Sequence, residues 1–359
     1  MKVLHVINNL GSGGAERMLI NFFSELKDTN NEFEILLLAD DTITFNNIPS
    51  HIKITILSKS NKRYSFKKII ALYRYIKNNS FDIVHSHLFP SQYYVFFIRI
   101  FLKKIQIVTT EHSTTNNRRN YWLIKKIDQF IYKNHNKIIF ISKGVKNQFH
   151  KDYPLLKNRG VIIYNGIPLK EFHSTIKPIK KDNSIKLIMV ASFRKQKNHK
   201  TLIKALSNLN SNYTLSLVGE GDNLENIKSL TKELNLEKRV HFLGFRNDIA
   251  ELYRNHDIFV LSSHSEGFGL VAVEAMASGL PVIASNVDGL REVVDGAGLL
   301  FEPKNEIELA KQIQKVATNN ELKNRMINDG LVKAKNYDIK NLKNKTLKLY
   351  KNILSNDNR

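Results

Sequence analysis

The hydrophobic and polar positions of the chain follow two alternating periods. Short runs of β-branched and aliphatic residues, typical of buried strands, are followed by longer amphipathic stretches with the spacing of helices. The predicted strands are KVLHVI, EFEILLLA, IKITIL, DIVHSH, QIVTTEH, KIIFIS and VIIYNG in the first half, and KLIMVAS, TLSLVGE, RVHFLG, DIFVLSS and PVIAS in the second. This alternation predicts an α/β protein with parallel sheets.

A polar segment with neither period, Asn165 to Ser184, interrupts the alternation and contains two of the seven prolines. We therefore expect two Rossmann-like domains, one over residues 1–166 and one over 185–336, joined by a linker over 167–184. Ligands of open α/β sheets bind beyond the carboxyl ends of the strands. Functional residues are accordingly expected just after strands, in a cleft between the domains.

The composition excludes several classes of protein. The 359 residues contain no cysteine, which excludes a disulfide scaffold, a thiolate zinc site, an iron–sulfur cluster and a cysteine nucleophile. The N-terminal segment lacks the features of a secretory signal. The longest apolar run, YYVFFIRIFL, is interrupted by Arg99 and falls short of the roughly 18 residues that a transmembrane helix needs. We expect a cytoplasmic protein, with peripheral contact to the inner face of the plasma membrane left open.

The segment from Ser263 to Ser285, SHSEGFGLVAVEAMASGLPVIAS, is the richest in candidate chemistry. A glycine-bearing loop follows a predicted strand and leads into a helix near Gly269, so backbone N–H groups can approach an anion there. Glu266 lies in the loop and Glu274 eight residues later in the helix. Ionised carboxylates accept hydrogen bonds from sugar hydroxyls strongly. Taken alone, the two glutamates are more typical of a helix cap and a solvated helix face.

The order of motifs resembles that of glycosyltransferase family 4, whose signature is two glutamates separated by seven residues. The resemblance covers most of the chain: GSGGAERML, DIVHSH, VTTEH, VIIYNGI, VASFRKQKN, LVGEG, FLGF and EGFGLVAVEAMASGLPVIAS occur in the family's sequence order. It implies a GT-B fold, with an acceptor-side N-terminal domain and a nucleotide-sugar-binding C-terminal domain. It also implies that a last helix, over residues 337–354, returns to the N-terminal domain.

The resemblance implies roles for the residues of this signature. Glu266 would contact the hydroxyls of the donor sugar, and Glu274 the ribose hydroxyls of the nucleotide. The backbone around the start of the helix would surround the sugar and the diphosphate, at Gly267, Phe268, Gly269 and Leu270.

Two cations are expected beside the donor diphosphate. Lys197 matches the family's phosphate-binding lysine, but Ser192 stands five residues before it, where the family usually has arginine. We interpret Arg194 as the substitute cation. Glu220 of LVGEG and Phe245 of FLGF are further donor-side positions, the latter near the nucleotide base.

The first half contributes the remaining candidates. Gly13 and Gly14 follow the first strand; the loop lacks the third glycine of a dinucleotide fingerprint, and the resemblance places it beside the acceptor and the donor diphosphate. We expect His85 and His87 to point to opposite faces of their strand, so that only one can face the cleft. The resemblance implies that this one is His87, near the reacting sugar. His112 is the candidate on the acceptor side.

The reaction implied by the resemblance is transfer of a hexose or N-acetylhexosamine from a nucleotide-sugar, with UDP favoured as the nucleotide, and with retention of the anomeric configuration. The expected acceptor is a saccharide, lipid-linked, in bacterial capsule, O-antigen or exopolysaccharide synthesis. Neither an Asp-x-Asp triplet nor a histidine–carboxylate cluster occurs, so we expect no metal and no other cofactor. Two alternatives stay open: an isomerase similar to UDP-N-acetylglucosamine 2-epimerase, and a noncatalytic partner protein with this fold.

The positive charge is concentrated in the first half. Residues 1–180 contain 28 basic and 12 acidic side chains, a net of +16 out of the total of +22. Basic residues flank aromatic ones there: Lys59, Lys62, Arg63, Lys67 and Lys68 near Tyr64 and Phe66, Arg99, Lys103 and Lys104 around FFIRIFL, and Arg118, Arg119, Lys125 and Lys126 around Tyr121 and Trp122. This combination suits an anionic bilayer surface, and no nucleic-acid recognition motif accompanies it. The alternative is a solvated basic face over core aromatics.

Overall fold

The computed structural model describes residues 1–11, 13–27, 30–39, 48–58, 64–157, 159–172 and 183–357. The chain forms two compact units, Met1–Gly166 together with Ile339–Arg359, and Ile167–Asp338. Of the predicted linker, residues 173–182 lie outside the described part, and Ile167 pairs with Asp338 within the second unit. Among the described residues, no helix combines the length and apolar character needed to cross a bilayer.

The first unit is built on a seven-stranded sheet whose described pairings are all parallel. Its strands are β1 (Lys2–Ile7), β2 (Glu32–Leu37), β3 (Lys53–Ile56), β4 (Ile83–His87), β5 (Gln106–Glu111), β6 (Lys137–Phe140) and β7 (Gly160–Ile162). They lie in the order β3-β2-β1-β4-β5-β6-β7. Every residue of β4 and β5 is buried, because helices cover both faces of a parallel sheet.

The second unit is built on a six-stranded sheet, again with parallel pairings only. Its strands are β8 (Ile185–Val190), β9 (Tyr213–Val218), β10 (Val240–Phe242), β11 (Ile258–Leu261), β12 (Val282–Ser285) and β13 (Leu299–Phe301). They lie in the order β10-β9-β8-β11-β12-β13. The short strand β13 was not predicted, since three residues carry too little periodicity to be recognised.

Helices connect the strands in both units. They are α1 (Gly14–Ser24), α2 (Phe66–Asn79), α3 (Ser91–Phe101), α4 (Trp122–Lys133), α5 (Lys143–Asp152), α6 (Leu169–Phe172), α7 (His199–Ser207), α8 (Leu224–Glu233), α9 (Ile249–Arg254), α10 (Leu270–Ala277), α11 (Asp288–Val294), α12 (Glu306–Thr318), α13 (Asn320–Ala334) and α14 (Ile339–Asp357). The last helix begins two residues later than predicted, because Lys335–Tyr337 forms a separate 3-10 turn. Helix α14 belongs to the first unit.

Each sheet has one position where the direction of chain progression reverses. In the first unit it lies between β1 and β4, and in the second between β8 and β11. Ligands of open α/β sheets bind at the carboxyl ends of such strand pairs. The α/β class with parallel sheets is therefore confirmed, and the segments that follow these four strands contain most of the candidate residues.

Candidate active site

The loop after β11 is held in one conformation by close backbone packing. Gly269 has a φ of +91° where α10 begins, and a Cβ atom there would lie 2.4 Å from Leu290 Cδ2. A Cβ atom on Gly289 would lie 2.3 Å from the carbonyl oxygen of Glu266. Only glycine fits either position without displacing a neighbour. The loop that leads into α10 is thus fixed in place within the second unit.

An ion pair connects this loop with the segment after β8. Lys197 Nζ lies 2.5 Å from Glu266 Oε1, and the Ser263 hydroxyl donates to the same oxygen at 3.0 Å. Glu266 is 8% exposed. Two predicted residues, 69 positions apart in sequence, therefore meet directly, and the carboxylate is oriented by both a cation and a hydroxyl.

The segment that carries Lys197 is tied to the same loop by further hydrogen bonds. The Gln196 side-chain Nε2 donates to the Ser265 carbonyl oxygen at 2.7 Å. The backbone carbonyl of Gln196 accepts from the His264 N–H at 2.8 Å. The Ser262 hydroxyl donates to the Asn198 carbonyl oxygen at 2.9 Å. Gln196 and Ser263 were not predicted; the only signal was their position beside strand ends at the point of reversal.

Glu274 lies in the second turn of α10 and is 4% exposed. The Tyr253 hydroxyl lies 3.4 Å from Glu274 Oε2, a distance that allows a weak hydrogen bond from the phenol. A carboxylate buried to this degree is ordinarily held by polar partners or by a ligand. Glu274 thus lies on the helix that follows the loop containing Glu266.

The other predicted donor-side residues occupy exposed positions nearby. The Arg194 side chain is exposed, and within the described residues it has no ion-pair partner, whereas the Lys197 N–H donates to the Arg194 carbonyl at 2.9 Å. The Glu220 carbonyl accepts from the Phe193 N–H at 2.8 Å, and its side chain points outward. Phe245 is exposed too. Phe268 is the exception, because its ring is buried against Tyr337 at 5.2 Å between centroids, which leaves only its backbone for a ligand.

In the first unit, Gly13 precedes α1 and Gly14 is its first residue. A Cβ atom on Gly13 would lie 2.3 Å from a Glu16 carboxylate oxygen, whereas one on Gly14 would meet no atom within 4 Å. Gly13 therefore makes room for Glu16 at the helix start, and Gly14 leaves the backbone open.

The prediction that His85 and His87 face opposite sides of β4 is wrong. Side chains two residues apart in a strand share a face, and these two rings lie 4.2 Å apart between centroids. His87 Nε2 lies 2.9 Å from His5 Nδ1, and His87 Nδ1 lies 3.3 Å from His112 Nε2. The two predicted histidines, His87 and His112, are thus in contact, together with His5, which was not predicted.

These histidines are neutral in the folded protein. Burial lowers the pKa of His5 and of His112 to about 3, and burial lowers the pKa values of His85 and His87 well below 6.5. A neutral imidazole can donate one hydrogen bond and accept another. A cavity of about 20 Å³, lined by His5, His85, His87 and Asn165 among others, lies beside them. It has room for about one water molecule and none for a sugar.

Three of the rings form the one group of metal-capable side chains found among the described residues. One ring nitrogen from each of His5, His85 and His87 lies within 4.8 Å of the others. The group contains no carboxylate and was not recognised in the sequence, since His5 and His87 are 82 residues apart.

The predicted basic surface of the first unit is smaller than its composition suggests. Arg119 is buried and pairs with Glu111 and Asp152, each at 3.2 Å. Arg118 pairs with Asp128 at 2.5 Å and stacks over Phe89, and Lys68 is buried. These three residues do not belong to a solvated basic face. Lys59, Lys62 and Arg63 lie outside the described residues.

Comparison with known proteins identifies the family. The family model for Glycosyltransferase Family 4 matches residues 12–171, and that for Glycosyl transferases group 1 matches residues 172–332. An uncharacterized glycosyltransferase of Methanocaldococcus jannaschii is 31% identical over 89% of this chain and 88% of its own length. A 4-alpha-N-acetylgalactosaminyltransferase of Campylobacter jejuni, which acts on N-acetylgalactosamine-N,N'-diacetylbacillosaminyl-diphospho-undecaprenol, is 28% identical over 92% of this chain and 94% of its own length.

Comparison with solved structures agrees with this family. HepE of Anabaena, solved in complex with UDP and glucose, is similar with a TM-score of 0.86 at 21% identity, over 97% of this chain and 99% of HepE. The two-domain GT-B fold is thereby confirmed. With the matching family models and the archaeal relative, these findings show that the chain is an enzyme of the glycosyltransferase family 4 type.

Proposed function

We propose that the protein transfers a hexose or N-acetylhexosamine from a UDP-sugar to a lipid-linked saccharide during assembly of a bacterial surface polysaccharide. The observation that carries this proposal is the Lys197–Glu266 ion pair at the start of α10. Two relatives support the substrates: the Campylobacter enzyme is named for a diphospho-undecaprenol acceptor, and HepE binds UDP.

The donor half of the reaction follows from charge. When the bond from the sugar to the diphosphate breaks, negative charge grows on the β-phosphate of the leaving UDP. Donors held in place beforehand stabilise that charge most effectively. In our proposal such donors are supplied by Lys197 and by the N–H groups of the first turn of α10. Hydrogen bonds of Gln196 and Ser262 hold the segment that contains Lys197 in place.

The two glutamates then recognise the neutral parts of the donor. Glu266, oriented by Lys197 and Ser263, accepts hydrogen bonds from hydroxyls of the transferred sugar. Glu274, which is buried in the second turn of α10, accepts hydrogen bonds from the ribose hydroxyls. Both interactions use an ionised acceptor, which makes each hydrogen bond about twice as strong as a neutral one.

Retention of the anomeric configuration is a further part of the proposal, and it rests on membership of the family. Product from a UDP-α-sugar is expected to have an α linkage by NMR, and a β linkage would contradict it. We propose also that Lys197 and Arg194 take the place of a divalent cation. Activity is then expected to persist in excess EDTA, and an activity restored only by Mg²⁺ or Mn²⁺ would contradict it.

The acceptor half is assigned to the first unit, whose surface suits a membrane-anchored substrate. Large apolar side chains are exposed on three helices: Phe66 and Ile70 on α2, Phe97, Ile100 and Phe101 on α3, and Trp122, Leu123, Ile127 and Phe130 on α4. The helices are neighbours, since Tyr73 contacts Phe101 and Phe96 contacts Phe130. We call this set the α2–α4 surface.

Exposed apolar patches of this kind mark interaction sites. Lys67, Lys103, Lys104 and Lys126 are exposed on the same helices or at their ends. Cations beside exposed aromatic rings match the head-group region of an anionic bilayer. Binding of the α2–α4 surface to the bilayer would bring the enzyme to a lipid-linked acceptor. The proposed location of the protein is therefore the inner face of the plasma membrane.

The donor is tested by thermal unfolding in the presence of UDP, GDP, ADP and dTDP. A ligand at 100 times its dissociation constant adds about 2.7 kcal/mol to the free energy of unfolding. We expect UDP to raise the unfolding temperature more than the other three. A larger shift with GDP or ADP would replace UDP in the proposal, and no shift with any nucleotide would contradict the donor site.

A further inference from the structure

The hydrogen bonds of the two residues before Glu266 converge on a single residue. The Gln196 side-chain Nε2 donates to the Ser265 carbonyl oxygen at 2.7 Å and to the Ser265 hydroxyl at 3.1 Å. The backbone carbonyl of Gln196 accepts from the His264 N–H at 2.8 Å. Within the described part of the chain, every hydrogen bond of His264 and Ser265 therefore runs to Gln196. We call residues 191–198 the β8 loop and residues 262–269 the β11 loop.

The contact between Gln196 and Ser265 needs the amide nitrogen of the glutamine. A backbone carbonyl oxygen can only accept a hydrogen bond, so the nitrogen of the amide, and not its oxygen, faces Ser265. The distance of 2.7 Å is at the short end of the range for such bonds. The Gln196 side chain is exposed, so it joins the two loops at the surface of the second unit. It can be replaced there without opening a cavity in the core.

This contact stands next to the ion pair in both loops. Lys197 follows Gln196 and Glu266 follows Ser265, and Lys197 Nζ lies 2.5 Å from Glu266 Oε1. Two consecutive residues of the β8 loop therefore contact two consecutive residues of the β11 loop. A shift of Ser265 would move the backbone from which the Glu266 side chain extends.

The position of Lys197 does not depend on the Gln196 side chain. The Ser262 hydroxyl, which is fully buried, donates to the Asn198 carbonyl oxygen at 2.9 Å. This bond attaches the β8 loop to the end of β11. Loss of the Gln196 amide is therefore expected to loosen the residues before Glu266 and to leave Lys197 in place.

We propose that Gln196 is a positioning residue that holds Glu266 where it contacts the sugar of the donor. The Gln196 side chain then governs which sugar is transferred and how fast, whereas the affinity for UDP is set by other residues. The groups of a substrate site need to be held within about 0.5 Å of the productive geometry, so even a small shift of the β11 loop is costly. The role toward the sugar rests on the proposed function, and the contact between the two loops does not.

Hydrogen exchange of the full chain tests the contact between the loops without any measurement of activity. Gln196→Met removes the donor at similar length, and Gln314→Met makes the same change at an exposed position of α12. We expect amides in peptides that cover residues 262–267 to exchange about fivefold faster in Gln196→Met, the range of one hydrogen bond, and at the wild-type rate in Gln314→Met. Equal exchange in the wild type and Gln196→Met would overturn the proposal.

Kinetics test the role toward the sugar. With the preferred UDP-sugar we expect kcat to be about tenfold lower in Gln196→Met, the preference over the C4 epimer of that sugar to be smaller, and the Kd for UDP from calorimetry to be unchanged. Ser265→Ala keeps the carbonyl acceptor and is expected to retain kcat and the sugar preference. A weaker affinity for UDP in Gln196→Met would place Gln196 in the nucleotide site and contradict the proposal.

A double-mutant cycle shows whether Gln196 acts through Glu266. Once Glu266→Gln has removed the carboxylate, Gln196→Met is expected to change kcat/KM by less than about twofold, because the two residues share one effect. A full tenfold loss from Gln196→Met in that background would overturn the proposal. If the wild type transfers no sugar from any UDP-sugar, the proposed function fails, while hydrogen exchange still decides whether Gln196 holds the β11 loop.

Discussion

Lys197 and Glu266 form an ion pair of 2.5 Å between the segments that follow β8 and β11. The two strands are adjacent and mark the point where the sheet order reverses. The pair is reinforced by the Ser263 hydroxyl, and Glu266 lies in the loop that leads into α10. A cation and a carboxylate are thus held together in the loop before α10 in the absence of any substrate.

Replacing Glu274 with glutamine tests its role toward the ribose. The substitution keeps the shape and removes the charge, so we expect KM for the UDP-sugar to rise by about tenfold with little change in kcat. In calorimetry the wild type is expected to prefer UDP over 2′-deoxy-UDP or 3′-deoxy-UDP, and Glu274→Gln to lose that preference. An equal preference in both proteins would place the ribose elsewhere.

Gly269→Ala is expected to destabilise the second unit. The residue has a φ of +91°, and the added Cβ would lie 2.4 Å from Leu290 Cδ2, so we expect a loss of about 1–3 kcal/mol in urea unfolding. Gly14→Ala is the comparison, because a Cβ there meets no atom within 4 Å. Equal stability of the two variants would show that the loop adjusts freely.

The buried histidines make stability depend on pH. Their pKa values are lowered in the folded state, to about 3 for His5 and His112, while the unfolded chain has values near 6.5. Below pH 6.5 the unfolded state therefore binds more protons, and the free energy of unfolding falls as the pH falls from 6.5 towards 3.

Each such histidine contributes a slope of about 1.4 kcal/mol per pH unit in that window. Urea unfolding at pH 7.5, 6.0 and 5.0 measures it. His5→Gln is expected to reduce the slope, whereas the same change at His241, which is exposed, is the control. A slope unaffected by His5→Gln would contradict a buried neutral His5.

The α2–α4 surface is expected to bind anionic vesicles. Replacing Phe101 and Trp122, 67% and 66% exposed, with serine removes apolar area that a bilayer would bury. We expect both this variant and Lys103→Glu/Lys104→Glu to sediment less with vesicles containing phosphatidylglycerol. Lys311→Glu/Lys315→Glu, at exposed positions of α12, is the charge-matched control. Equal sedimentation of all variants would contradict the membrane surface.

Much of the second unit could be predicted because its candidate residues follow strands within recognisable motifs. Lys197, Glu266 and Glu274 were found in this way, and the structure brings the first two into contact. Gln196 and Ser263 were not predicted, because they form hydrogen bonds between and within the loops. The sequence alone does not distinguish such residues from other polar residues in loops.

The first unit was harder to predict. Tyr350 and His5 are 345 residues apart, and no local period indicates that the last helix brings them together. The expected opposition of His85 and His87 failed because a strand repeats every two residues. Arg119 was assigned to the surface by its neighbours in sequence, yet its ion pairs with Glu111 and Asp152 bury it.

The most direct test is transfer from a panel of UDP-hexoses and UDP-N-acetylhexosamines to polyprenyl-diphosphate-linked saccharides, measured for the wild type, Lys197→Ala and Lys195→Ala. Lys195 is an exposed neighbour and serves as the matched control. We predict one productive donor, a kcat about 100- to 1,000-fold lower for Lys197→Ala, and near wild-type transfer for Lys195→Ala. No product with any donor, or full activity in Lys197→Ala, would contradict the account.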